Sequence, residues 1–208
     1  MAKKHAKALK LTGKTCRLGK ISNNLERHGD EHVTAFTIPI TDVMLTKTEL
    51  IALMRDASVH ESWYAPATKT QAAEPRPWWN GERFKISETF EADAAALVLL
   101  GDREIEFEST GDPKDDDYRP AAVISKITLT PHAGGLTELC ASLYVRPGIG
   151  KTNLTLQTAQ HSEAKLTITG ARVAERDKAQ PQLPLDEGGP APSTEAKADD
   201  GATAAATH

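Results

Sequence analysis

One run limits this chain more than any other: residues 122 to 145, two stretches of alternating apolar residues hinged at His132-Ala133-Gly134-Gly135. Successive side chains of a strand point to opposite faces, so a period of two marks a half-buried β-strand. Val123, Ile127 and Leu129 share a face of the first arm, and Leu139, Ala141, Leu143 and Val145 share a face of the return arm. The paired glycines supply the positive φ that a tight hairpin needs. A chain with this hairpin at its centre has to bury one face of an antiparallel sheet.

The flanking segments agree with that sheet. Phe36, Ile38 and Ile40 alternate, with Pro39 placing their strand at an edge or ending it, because proline cannot donate to a ladder. Ile105 and Phe107 alternate with Glu104, Glu106 and Glu108. Two more short arms are expected around Leu154–Leu156 and Leu166–Ile168, which would extend the hairpin into a four-stranded meander. Ala94 to Leu100 is apolar throughout, and periodicity does not separate a short helix from a buried strand there. One helix start is clear. Thr46-Lys47-Thr48-Glu49 has capping-box spacing before Leu50, Ile51, Leu53 and Met54, which predicts a helix ending near Asp56. The expected fold class is mainly β: an antiparallel sandwich or partly open barrel with one short helix and a disordered C-terminal tail. No internal repeat is visible.

That tail is set by composition. From Gln180 to His208 the chain holds four prolines and three glycines, and Leu183 and Leu185 are its only large apolar residues. It cannot bury enough surface to offset the entropy of ordering. The division expected is residues 1–178 as the β domain with a basic N-terminal segment, and 179–208 as a disordered acidic tail. Charge is segregated along the chain. Residues 1–28 carry eight basic side chains and one acid, residues 102–117 eight acids and two bases, and residues 173–208 seven acids and three bases. The net charge of −4 conceals this pattern. No apolar run approaches the ~18 residues of a membrane span, and MAKKHAKALKLTGK lacks the apolar core of a signal peptide, which argues against a membrane or exported protein. Two cysteines, Cys16 and Cys140, fit free thiols in a cytoplasm.

Several motifs tempt a catalytic reading and fail on context. His28-Gly29-Asp30-Glu31-His32 matches the H-x-x-E-H pattern of a zinc-peptidase class, whose imidazoles need one helix face. Gly29-Asp30 followed by the β-branched Val33 is the grammar of a turn and a strand. Gly148-Ile149-Gly150-Lys151-Thr152 ends like a phosphate-binding loop, yet Val145 stands where the first glycine is needed, and Asn153–Thr158 looks like a strand where a helix is needed. Asp112-Pro113-Lys114-Asp115-Asp116-Asp117 lacks the oxygen spacing and closing Glu of a helix–loop–helix calcium site. His60-Glu61-Ser62 has nucleophilic residue types, but neighbours in sequence do not face one another. The chain is therefore expected to be non-catalytic, with no cofactor and no metal.

What remains is a cluster of rings and cations. Trp63, Trp78 and Trp79 are the only tryptophans, and they flank the polar, proline-rich stretch 65–77 beside Lys69, Arg76 and Arg83. Large rings on a loop beside cations stack on nucleic-acid bases. The competing account is that they plug one end of the fold. The candidate nucleic-acid contacts are Lys3, Lys4, Lys7, Lys10, Lys14, Arg17 and Lys20 in the basic segment, with Trp63, Arg76, Trp78 and Trp79.

RHGDEHVTAFTIPITDVML (27–45) and ISKITLTPHAGGLTELCASLYVRPG (124–148) resemble segments of uncharacterised proteins of tailed phages and prophages, encoded in early regions near replication and recombination functions. The resemblance implies a bacterial cytoplasm and an early-gene role, and it brings no catalytic residues. The function expected is a non-catalytic, nucleic-acid-associated protein with single-strand preference, and the acidic tail would compete with the polyanion or recruit a protein partner. The alternative is a β-rich binding protein that inhibits a host protein or sequesters a small ligand.

Overall fold

The structure is a computed structural model describing residues 9–28, 31–111, 118–146 and 151–174, of which 24–28, 31–33 and 151–154 are described by their backbone alone. Three strands open the chain: β1 (Leu9–Leu18), β2 (Ser22–His28) and β3 (Glu31–Leu45). Helices α1 (Lys47–Met54) and α2 (Val59–Trp63) follow. After a long connection come β4 (Phe84–Ile86), β5 (Phe90–Ala92), β6 (Ala94–Leu99) and β7 (Arg103–Glu108). The last described elements are β8 (Ala122–His132), β9 (Leu136–Val145), α3 (Lys151–Thr158) and β10 (Glu163–Val173). The compact unit that contains them ends at Ala174. The expected boundary at 178 and the tail beyond it lie outside the described residues.

The ten strands among the described residues belong to one antiparallel sheet. The pairings run β1–β3–β9–β8–β5–β10, and β10 returns to β1. That ring closes through the three-residue β5 and through two β1–β3 pairs, Arg17 with Thr41 and Leu18 with Ile40, so it is a partly open, irregular barrel. Beyond the ring, β6 and β7 extend from the β10 side, β2 pairs with β3, and β4 with β8. Two bulges curl the wall at one level. Asp42 (φ 64°) interrupts β3 between Ile40 and Val43, and Lys126 (φ 51°) interrupts β8 between Ser125 and Thr128. Both face β9 near Cys140 and Ala141, and a bulge bends its strand and raises its twist.

The β8 bulge also corrects the inner face of that arm. Ile124, Ile127 and Leu129 are buried, while Val123 is only half-buried, because the extra residue shifts the alternation by one. On β9 the inner residues are those expected: Leu139, Ala141, Leu143 and Val145. The turn between the arms is a short 3-10 segment, Ala133–Gly135, with both glycines at positive φ. Ile105 and Phe107 point inward from β7 with their glutamates outside, and Ala94 to Leu99 is a strand with alternate burial.

Two expectations about strand order are overturned. Pro39 neither ends its strand nor sits at an edge: β3 runs on to Leu45, with β9 along one side. On its other side β2 pairs as far as Thr37 and β1 resumes at Ile40, so the missing N–H falls in the gap between two partners. There Gly19 N donates to Pro39 O at 2.7 Å. The meander is also incorrect. Residues 151–158 form α3, and β10 crosses to lie between β1 and β6 instead of returning beside β9. A connection across the barrel leaves no neighbouring strand for residues 153–158 to pair with, so period-two Leu154 and Leu156 fold as helix, with Leu156 buried.

The expected helix is α1, with its capping box formed: Thr46 Oγ1 accepts from Glu49 N, and the Glu49 carboxylate accepts from Thr46 N at 2.8 Å. Arg55 in a left-handed conformation (φ 56°) ends it. Leu50 and Leu53 enter the core beside β1, β3 and β9. Helices α2 and α3 come in addition to the one expected.

Candidate nucleic-acid interface

The tryptophan segment is built on α2. Asp56 Oδ1 accepts from Ser58 N and Oγ at 2.8 and 2.7 Å, turning the chain into this five-residue helix. So short a helix ends with unsatisfied carbonyls, and residues 74–79 fold back to meet them. Arg76 donates through Nε and Nη2 to Glu61 O at 3.0 and 2.9 Å. Trp78 Nε1 donates to Ser62 O at 3.2 Å, and Arg76 N donates to Trp63 O at 2.9 Å. Tyr64 bridges to Pro75, and Ala65 N donates to Glu74 O. The long connection is therefore strapped to the helix by side chains as much as by backbone.

The three tryptophans divide in consequence. Trp63 is 7% exposed and stacks on Phe84, with centroids 4.3 Å apart. It offers no face to a base, which removes it from the expected contact set: as the last residue of α2 it points into the core. Trp79 is half-buried, with Nε1 donating to Glu82 O at 2.8 Å. Trp78 is 54% exposed, its ring perpendicular to that of Phe84 with centroids 6.1 Å apart and its indole N–H fixed on α2. Plugging and display are thus both present, on different rings.

The basic segment also divides. Lys3, Lys4 and Lys7 lie outside the described residues. Lys10, Arg17 and Lys20 are exposed on or just after β1, with Arg17 directly across from Glu163 on β10. Lys14 is committed elsewhere. Its Nζ donates to Glu49 at 2.7 Å and to Met44 O at 3.1 Å, so it serves the start of α1. Burial raises the Glu49 carboxyl, but hydrogen bonds from Lys14 and Thr46 outweigh it and hold the group below its ordinary value. The route from β1 to the tryptophan segment is a relay: Lys14 to Glu49 on α1, then Lys47 Nζ to Glu61 Oε1 at 3.3 Å, then Arg76 to the Glu61 carbonyl.

Sequence reasoning missed the cleft on the inner side of that relay. It has a volume of about 440 Å³ and is bordered by Lys47, His60, Glu61, Tyr64, Arg76 and the small residues Ala65, Pro66, Ala67 and Ala73. The hairpin turn backs it. His60 Nε2 lies 3.1 Å from Gly135 O, Tyr64 Oη donates to Leu136 O, and Gly134 N donates to Ala73 O at 2.8 Å. A Cβ on Gly135 would come within 3.2 Å of both Ala73 and His60, so the two would have to give by a few tenths of an ångström, and the positive φ of 73° independently favours glycine. Lys47 reads from sequence only as the first residue of a helix, and nothing in the pattern joins it to Arg76.

The rejected motifs fall as follows. His28 lies opposite Glu31, and Arg27 opposite His32, on paired strands, so neither histidine is on a helix. For the phosphate-loop motif one objection fails, since a helix does begin at Lys151, and the other stands, since Val145 is buried in β9. Residues 112–117 lie outside the described residues. On α2, Ser62 Oγ donates to Val59 O and His60 turns to the hairpin, so they do not face each other. Both cysteines are free. Burial, with a contribution from Asp42, pushes the Cys16 thiol up to about 11. Cys140 is half-buried, and its thiol donates to Glu138 Oε1 at 3.3 Å. Burial and that carboxylate raise it too. Among the described residues no three His, Cys, Asp or Glu side chains are placed to hold a metal ion, and no helix is long and apolar enough to cross a membrane.

No protein-family model, no curated protein and no solved structure matches the chain.

Proposed function

We propose that the protein is a non-catalytic binding protein for single-stranded nucleic acid, with Trp78 as its stacking platform and Arg76, Lys10, Arg17 and Lys20 as its cations. One observation carries this reading: Trp78 leaves more than half its surface in water while its N–H is bonded to Ser62 O and its ring stands perpendicular to that of Phe84. A ring fixed in orientation pays little ordering entropy when a base stacks on it. Stacking on one exposed ring adds about 1–3 kcal/mol per base and tolerates any sequence. Phosphate contacts supply the remainder and make binding depend on salt. The phage or prophage setting and a role near replication or recombination belong to this proposal, and they rest on the resemblance of residues 27–45 and 124–148.

The test is fluorescence anisotropy of a labelled oligothymidylate with the full chain over a salt series. Affinity is expected to fall linearly in log–log form as salt rises, and Trp78→Ala is expected to weaken binding at every salt concentration. Absence of binding at low salt would sink the reading and leave the inhibitor or small-ligand alternative in its place.

A further inference from the structure

The cleft between α2 and the strap has the composition of a site for one ring and one anion. Lys47 and Arg76 converge on the two ends of the same residue, one at the Glu61 carboxylate and the other at its carbonyl. Arg76 uses Nε and Nη2 there, and among the described residues its Nη1 hydrogens have no partner. Ala65, Pro66 and Ala67 form an apolar wall, and Tyr64 with His60 stacked on it at 4.7 Å closes the inner end against the hairpin. At about 440 Å³ the space lies in the range of small-molecule sites, roughly 300–1,000 Å³.

We infer that this cleft binds a nucleoside monophosphate unit, its phosphate on Lys47 and Arg76 and its planar base against the wall of Ala65, Pro66 and Ala67. The unit has two sources, a free mononucleotide or the phosphorylated end of a strand. The second source is linked to Trp78 by position. Glu61 and Ser62 are consecutive, so the guanidinium of Arg76 and the indole of Trp78 are anchored on adjacent carbonyls of α2. A strand stacked on Trp78 passes Arg76 and meets a cleft whose far side is closed, which suits an end and not a passing chain. This part rests on the function proposed above, whereas the cleft itself stands without Trp78. Glu61 opposes the phosphate: an arriving anion takes Lys47 from a carboxylate whose side chain is 73% exposed and free to swing into water.

The experiment uses the full chain with two kinds of probe. Adenosine monophosphate is titrated by calorimetry, and oligothymidylates with a 5′-phosphate, a 3′-phosphate or neither are compared by anisotropy. Expected are saturable mononucleotide binding and about tenfold tighter binding of one phosphorylated oligonucleotide, the gain of a charge-assisted contact. Lys47→Gln removes a charge from an exposed side chain, and Ala67→Trp fills the cleft from its rim. Both should abolish mononucleotide binding and the preference for a terminal phosphate, while Glu61→Gln should strengthen both. Trp78→Ala should weaken all oligonucleotides alike and leave that preference intact. Mononucleotide binding without any end preference assigns the cleft to free nucleotide. Oligonucleotide binding with no mononucleotide binding and no end preference overturns the inference and spares the proposed function. Mononucleotide binding that survives both Lys47→Gln and Ala67→Trp also overturns it. Mononucleotide binding lost in those variants, with no oligonucleotide binding, removes the proposed function and keeps the cleft.

Discussion

The β8–β9 hairpin and the strap from α2 to β4 touch along the hairpin turn, yet different physics holds each in place. The hairpin buries Ile124, Ile127, Leu129, Leu139, Leu143 and Val145 almost completely, and its outer face mixes polar residues with the half-buried Val123, Cys140 and Tyr144. The strap buries Trp63 and Tyr64 and otherwise hangs on polar contacts to α2 and the hairpin. Apolar burial is non-directional and sums over area. A strap of hydrogen bonds is directional, modest in net energy and sensitive to each donor. A rigid wall carrying a locally anchored, polar, half-exposed segment is the arrangement in which binding residues commonly sit. The two regions should therefore separate under mutation, the hairpin controlling stability and the strap controlling binding.

The hardest blow to the hairpin is Leu129→Ala. Leu129 is fully buried, flanked by Phe84 on β4 and Leu139 on β9. Loss of about 2–5 kcal/mol of stability is expected, a large fraction of the roughly 5–15 kcal/mol that a domain of ordinary stability has, and denaturant titration checks it. A loss below about 1 kcal/mol would mean that the wall is far more tolerant than its burial implies.

Tyr64→Phe attacks the seam where the two regions meet. The phenol donates to Leu136 O and lies 2.9 Å from Thr137 Oγ1, and Thr137 is 0% exposed. Removing the hydroxyl leaves that buried group without its partner, so a cost of about 1–3 kcal/mol is expected. Amide exchange should then quicken at Gly134, whose N–H is bonded to Ala73 O in the strap, before it quickens within β9. Uniform acceleration across both regions would show that they open as one unit.

A smaller effect is expected from acid. Glu49 and Glu138 are both held below their ordinary value of 4.5, each raised by burial but lowered more by its hydrogen-bond partners, Lys14 and Thr46 for the first and His132 and Cys140 for the second. Their folded values lie below their unfolded ones. The stability they contribute is therefore complete above pH 4.5 and is lost as the pH falls through the lower folded values. Glu49→Gln should cost about 0.5–1 kcal/mol near neutral pH and flatten part of the acid limb in melts across that window. An unchanged acid limb would remove Glu49 as a contributor.

The same contrast decides how much could be read from sequence. The hairpin, the α1 capping box and the alternation of β7 are local patterns in which the residue and its immediate neighbours carry the information, and they were legible. Three things were not, because each depends on partners far along the chain. Pro39 is tolerated in an inner strand only because β2 stops at Thr37 and β1 starts at Ile40. Leu154 and Leu156 fold as helix because β10 is drawn across the barrel to Leu97 and Leu11 instead of to β9. Val123 faces outward because Lys126 bulges. In the site, composition picked out the tryptophans and Arg76 but could not say which ring turns inward. That depends on Trp63 ending a five-residue helix above Phe84. The cleft escaped altogether, since Lys47 and His60 reach it from separate helices.

The smallest effect on stability should come from the residue with the largest effect on binding. Trp78→Ala removes one edge contact with Phe84 and one hydrogen bond to Ser62 O, both at the surface, and that carbonyl can turn to water. The expected cost to folding is about 0.5 kcal/mol, a shift of a few degrees at most in a melt. The expected cost to oligonucleotide binding is about 1–3 kcal/mol, because the lost ring is the one that a base can reach. The two tryptophans that remain make this measurable in one sample. Trp63 is shielded and should resist iodide quenching in every variant, so the quenchable part of the emission should fall when Trp78 is replaced. In the wild-type chain, bound oligonucleotide should protect that same part from iodide. If Trp78→Ala melts far below the wild-type protein, the ring is a structural plug like Trp63, the strap belongs to the core, and the separation between a stabilising wall and a binding strap fails. If it melts normally and binds normally, the strap is separate from the core but is not where nucleic acid sits, and the contact passes to the cations of β1.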